Sequence, residues 1–268
     1  MTDSAAARTP SPFADHTPRM LFGLVIPGDA TDPYRMREGA WMRRSDHTFS
    51  GAALGAFLDH AFTGASIQAA RPRDRPTNVV TTQLSFQLTP GVEPVGELLA
   101  SSTLVGSEGS VALGEGSVQD STGQTIAVGS ASVQFIPRRQ DASHPHRREF
   151  LEPIDATIEE ILALDIESTD TGATGRTVPG HWLANSMVAL HGGVVTAMLE
   201  HTAHEALGGA PWRISSLDVH FLRPGPVAEP LEVVATIDHA GRTLGVVSAR
   251  MLRHDGKAVA VATAAYRR

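Results

Sequence analysis

Residues 189–207 read ALHGGVVTAMLEHTAHEAL, with His191, Gly192 and Gly193 at the head of an apolar run and Glu200 inside it. A helix N-terminus carries unpaired N–H groups and a partial positive charge, and glycine lets another molecule approach that backbone closely. The chemistry this pattern suits is stabilisation of an oxygen that gains negative charge, an oxyanion hole for acyl transfer. The plainer alternative is a glycine-eased turn into the helix. Glu200 lies eight residues past Gly192, about 12 Å along a straight helix, so the two cannot address one carbonyl carbon.

A second stretch resolves that distance. GAALGAFLDHAFTGASIQA at 51–69 is another apolar, small-residue helix candidate, and Asp59 follows Gly51 by the interval at which Glu200 follows Gly192. If the two helices pack antiparallel, the head of each meets the carboxylate of the other. One composite site then joins Gly192 and Gly193 to Asp59, and its pseudosymmetric mate joins Gly51 to Glu200. The first is the better formed, because the mate has Ser50-Gly51-Ala52 where the second half has His191-Gly192-Gly193. Duplicated sites often diverge into one working and one decayed copy. A carboxylate inside an apolar helix is costly unless it is functional or ion-paired to a neighbouring arginine or histidine.

The elements around these helices repeat in the same order. Each helix candidate precedes a strand candidate ending in Pro-Gly, VVTTQLSFQLTPG at 79–91 and ISSLDVHFLRPG at 214–225. Segments 96–137 and 230–268 follow, alternating small or β-branched residues with polar ones and broken by glycine-containing turns, the pattern of three antiparallel strands per half. Further strands are expected at 34–42 and 164–168, with 176–183 another possibility. Both helices are apolar on nearly every side and need cover around their whole girth, which a curved sheet provides. The fold class expected is α+β, with a long central helix wrapped by a curved antiparallel sheet in each half. PRRQDASHPHRREFLEP at 137–153 reads as a linker, giving domains at 1–137 and 154–268 joined by 138–153.

At NSMVALHGGVVTAMLE, 185–200, the chain resembles the hotdog-fold acyl-CoA thioesterases, especially the phenylacetate-pathway and 4-hydroxybenzoyl-CoA types. Asn185, His191, Gly192, Gly193 and Glu200 match that family's Asn…His-Gly-Gly stretch and the acid beyond it. The doubled order of elements makes the chain similar to a double hotdog protein. The resemblance implies that the Gly192 amide polarises a thioester carbonyl, Gly193 permits close approach, His191 shapes the loop and Asn185 orients substrate or water. It further implies that Asp59 or Glu200 acts as nucleophile or general base, releasing a free acid and coenzyme A. The first half departs from the motif, with Arg44 aligned to Asn185 and Ser50 to His191; Asp46, His47 and Thr48 there read as polar contacts or loop caps.

Other patterns bound the reading. The chain has 268 residues, 41% of them hydrophobic, a net charge of -7 and no cysteine, so disulfides, thiolate metal sites and cysteine nucleophiles are excluded. Nucleic acid is not an expected partner at that charge. EHTAH at 200–204 lacks the His-Glu-x-x-His order, and no metal or separate cofactor is expected. No P-loop lysine, dinucleotide fingerprint or Gly-x-Ser-x-Gly occurs. No stretch approaches 18 apolar residues and the first ten carry no signal-peptide core, so a cytoplasmic protein with no membrane partner is expected. An acyl-CoA ligand would rest its acyl group in an apolar tunnel between the helices, with Gly51 among the contacts and its phosphates on Arg71, Arg73, Arg75 or Arg138. Homo-oligomers are expected because open sheets leave edges to cover. The rival readings are an acyl-CoA hydratase or dehydratase of the same fold, which needs an Asp-His pair in one pocket, and a non-catalytic acyl-binding protein.

Overall fold

A computed structural model describes residues 12–25, 32–72, 76–138 and 155–268. The first half runs α1 (Pro18–Leu21), β1 (Leu24–Val25), β2 (Tyr34–Met36), a 3-10 turn (Ala40–Met42), α2 (Gly51–Ala70), β3 (Thr77–Leu88), β4 (Leu98–Glu108), β5 (Val111–Gln119) and β6 (Thr125–Pro137). The second runs α3 (Ile158–Leu162), β7 (Asp165–Thr169), β8 (Gly172–Thr177), a 3-10 turn (His181–Leu183), α4 (Gly192–Ala206), β9 (Arg213–Phe221), β10 (Leu231–Ala240), β11 (Leu244–Arg253) and β12 (Ala258–Arg267).

The twelve strands form one antiparallel sheet in the order β1-β2-β4-β5-β6-β3-β9-β12-β11-β10-β8-β7. The seam is β3 against β9, from Gln83 opposite His220 to Gln87 opposite Ser216. Each half therefore contributes a contiguous set of strands, and the curved sheet wraps α2 and α4 in a double hotdog. The three strands expected after each helix-strand pair are β4–β6 and β10–β12. The strand expected at 34–42 ends at Met36, and the one expected at 176–183 lies instead at Gly172–Thr177, because each gives way to a 3-10 turn holding a tryptophan, Trp41 or Trp182. The expected linker lies outside the described residues except for Arg138, whose amide donates to the Pro76 carbonyl.

Small residues decide how the two helices meet. A Cβ built on Gly193 would lie 2.8 Å from both Cα and O of Ala56, and one on Gly55 would lie 2.5 Å from Thr196 Cγ2. Gly192 faces Asp59 and Gly51 faces Glu200, so residue numbers rise on one helix as they fall on the other. The pair is antiparallel and in backbone contact, as the matched carboxylates require. At the point where Ala56 meets Gly193 the helices leave no room for an acyl chain.

Because the obstacle at Gly193 is backbone, a methyl group there must push the helices apart. Gly193→Ala is expected to cost about 1–3 kcal/mol. Gly106→Ala, whose added carbon meets nothing within 4 Å, should change stability by no more than about 0.5 kcal/mol. Urea denaturation of the two variants beside wild type checks the contrast.

Candidate active site

The loop before α4 is built to deliver one amide. Asn185 Oδ1 accepts from the N–H groups of Met187 (2.8 Å) and Ala189 (3.3 Å), while the Asn185 amide donates to Ala189 O at 2.7 Å. Val188 takes a left-handed conformation, φ 58°, to close this turn. His191 is the N-cap of α4, and its Nδ1 accepts from the Gly193 N–H at 3.0 Å. As the first helical residue, Gly192 has no intrahelical acceptor for its N–H, and none is found among the described residues. The same residue borders the Asp59 carboxylate, whose Oδ2 would be 2.8 Å from a Cβ on Gly192.

Asp59 is 5% exposed and has no arginine or lysine partner among the described residues. Thr81 on β3 donates its hydroxyl to Oδ1 at 2.7 Å, leaving Oδ2 on the Gly192 side. His191 Nδ1 lies 3.6 Å from Oδ2, beyond hydrogen-bond range, and is already engaged as an acceptor from Gly193. His60, next to Asp59 in sequence, places its ring 6.3 Å from that of His191 and 5.8 Å from Tyr34. Burial, helped by electrostatic contributions from His191 and Arg19, pushes the His60 pKa down to about 3. Its imidazole is neutral across the physiological range.

The mate site has the same skeleton and different charges. Arg44 and Thr48 close its loop, His47 takes the left-handed position (φ 67°), and Asp46 Oδ1 accepts from the Thr48 amide and hydroxyl at 2.9 and 2.6 Å. Ser50 caps α2 by accepting from the Ala53 amide at 3.3 Å. Glu200, fully buried, is clasped by Arg44, whose Nη2 donates to Oε1 and Oε2 at 2.8 and 2.6 Å. Arg44 Nη1 meets His201 Nδ1 at 2.9 Å, and the Tyr266 hydroxyl donates to Glu200 O at 3.1 Å and to its Oε1 at 3.3 Å. Burial and then the Arg44 charge hold the His201 pKa below its usual range; burial and then Glu200 push the Tyr266 hydroxyl up. Glu200 thus sits in an ion pair, the alternative that the sequence leaves open beside a catalytic role.

The remaining expected residues are scattered. Arg71 donates to Thr77 Oγ1 at 3.3 Å and to the Thr77 carbonyl, bracing the α2–β3 connection. Arg138 is exposed beside Pro76, whereas Arg73 and Arg75 lie outside the described residues. Asn185 Oδ1 is committed to its own loop, so its amide oxygen shapes the turn. Thr81 escaped the sequence reading, although one of two successive threonines on the strand after α2 must face inward. The repeated Gly-x-Trp, 39–41 and 180–182, is a further mark of the duplication. Among the described residues no three histidines or carboxylates converge as metal ligands, and no helix is long and apolar enough to cross a membrane.

Two measurements follow from these charges. Glu200→Gln leaves Arg44 buried without its counter-ion and is expected to cost about 3–5 kcal/mol in denaturation. His60 and His201 titrate lower in the folded chain than in the unfolded one. Acid therefore protonates the unfolded state first, and stability should fall as pH drops below 6.5, for His60 down to about 3. The expected slope is about 1.4 kcal/mol per pH unit for each histidine. His60→Gln should remove its share of that slope in denaturation curves taken between those limits.

Comparison with known proteins agrees with this architecture. Residues 178–267 match the family model of the acyl-CoA thioesterase N-terminal domain, a span holding the Asn185 loop, α4 and β9–β12. No curated protein matches the chain. Acyl-CoA thioesterase II TesB2 from Mycobacterium marinum superposes with a TM-score of 0.64 at 11% identity, covering 93% of this chain and 96% of its own. The tesB protein of Mycobacterium avium subs paratuberculosis gives 0.62 at 12%, covering 93% and 97%. The 12:0-ACP thioesterase from Umbellularia californica gives 0.62 at 12%, covering 88% and 93%. At such identities the likeness concerns the fold, while the family match concerns the second half's own sequence. Together they give the chain a double-hotdog fold whose second half matches the acyl-CoA thioesterase N-terminal domain model.

Proposed function

We propose that the protein hydrolyses an acyl-CoA thioester to a free acid and coenzyme A at the Gly192–Asp59 site. One observation carries the reading: the helix-head glycine Gly192, whose N–H has no acceptor among the described residues, borders the buried Asp59 carboxylate, which has no counter-ion among them. The Gly192 N–H donates to the thioester carbonyl oxygen, and the α4 dipole favours the charge that develops there. Asp59 Oδ2 supplies the electron pair, either to the carbonyl carbon or to a proton of the attacking water. Collapse of the tetrahedral intermediate breaks the C–S bond and expels the CoA thiolate. By either route water supplies the oxygen needed for the acid and the proton that remains. Thr81 holds Oδ1 so that Oδ2 faces Gly192, and His191 fixes the first turn of α4 through Gly193.

The hydratase reading needs a histidine paired with the aspartate to move a proton. His191 Nδ1 already accepts the Gly193 N–H, so that nitrogen has no proton to give Asp59. This favours hydrolysis over hydration. The kinship with phenylacetate-pathway and 4-hydroxybenzoyl-CoA enzymes rests on the 185–200 motif, and a cytoplasmic, oligomeric protein remains part of the proposal.

Thioester turnover on aromatic and aliphatic acyl-CoAs tests the assignment. Asp59→Asn should lower kcat by at least about 100-fold with cooperative unfolding retained, and Thr81→Val should lower it less. Unchanged turnover in Asp59→Asn would contradict the role given to this carboxylate, and no turnover of any thioester by wild type would favour the acyl-binding reading.

A further inference from the structure

Taking the acyl-CoA reading as its premise, we propose that Arg44 is a built-in occupant of the pseudosymmetric site, so that each chain binds one acyl-CoA rather than two. The backbone half of that site survives. Gly51 heads α2 as Gly192 heads α4, and its N–H likewise has no acceptor among the described residues. Glu200 faces Gly51 as Asp59 faces Gly192, with Oε1 2.9 Å from a Cβ built on the glycine. What differs is the partner of the acid.

Asp59 meets a neutral threonine hydroxyl, which leaves one oxygen for chemistry. Glu200 meets a guanidinium that bonds both of its oxygens, with Tyr266 adding a third donor to Oε1. Arg44 is 5% exposed and Glu200 0%, so the pair fills the space beside the Gly51 head and shuts it from solvent. The loop bearing Arg44 is anchored to the second half, because the Ser45 amide donates to Glu159 Oε1 of α3 at 3.1 Å. A thioester entering here would have to displace a bidentate, buried ion pair, and removing either partner alone is costly. It would also find its base neutralised. Arg44 stands where the pseudo-equivalent loop carries Asn185, so one substitution within the duplicated loop accounts for the closure.

Calorimetric titration with phenacyl and 2-oxoalkyl thioethers of coenzyme A, whose carbonyl is not cleaved, reads the number of sites. Wild type should bind one equivalent per chain, and Gly192→Val should bind none. The double variant Arg44→Ala/Glu200→Gln removes both charges and shortens the plug, and should raise the stoichiometry above one. Two equivalents in wild type would overturn the proposal, as would binding by Gly192→Val that is lost on adding Gly51→Val. So would a single equivalent in a double variant that unfolds cooperatively. Absence of binding to wild type would overturn the acyl-CoA reading itself, and this inference with it, a result distinct from a count of two.

Discussion

The backbone contact between α2 and α4 is the constraint on which the site depends. Neither helix can bring its own carboxylate to its own head, since eight residues of helix separate them. An antiparallel crossing close enough for Ala56 to touch Gly193 places each acid at the other helix's first turn. That approach is possible because the crossing residues carry little or no side chain, and the sheet seam between β3 and β9 holds the two halves in the matching register. Glycines that weaken a helix as isolated elements serve here to set the distance between a donor and an acid.

The same crossing creates two buried carboxylates, and the molecule treats their charge in opposite ways. Glu200 is neutralised by Arg44 and enclosed by Tyr266 and His201, whose positions make its ionised form a structural staple between the halves. Asp59 receives one hydroxyl and the edge of a helix dipole. Thr81 takes Oδ1 and leaves Oδ2 toward Gly192. The asymmetry traces to single positions: Asn185 can fold its oxygen back onto its own loop, whereas Arg44 is long enough to reach across the helix pair.

Much of this was legible in the sequence because the duplication repeats chemistry as well as pattern. The matched intervals from Gly51 to Asp59 and from Gly192 to Glu200 encode the antiparallel pair, and the alternation in 96–137 and 230–268 encodes the strands. The charge partners were harder to read. Arg44 aligns with Asn185, but nothing in the spacing says whether its side chain turns outward to solvent or inward to Glu200. Thr81 becomes visible only when β3 is laid beside α2, because its partner is 22 residues away. Glycine and alanine at a crossing signal close packing as readily as a cavity, and where Ala56 meets Gly193 they pack. Charge alone does not say where an arginine points, and Arg71 is spent on Thr77.

A crystal structure with a phenacyl thioether of coenzyme A bound would test the central claim most directly. The account predicts the carbonyl oxygen about 3 Å from the Gly192 nitrogen, with Asp59 Oδ2 facing the carbonyl carbon. A carbonyl bound at the head of α2 instead, or one remote from both helix heads, would contradict it.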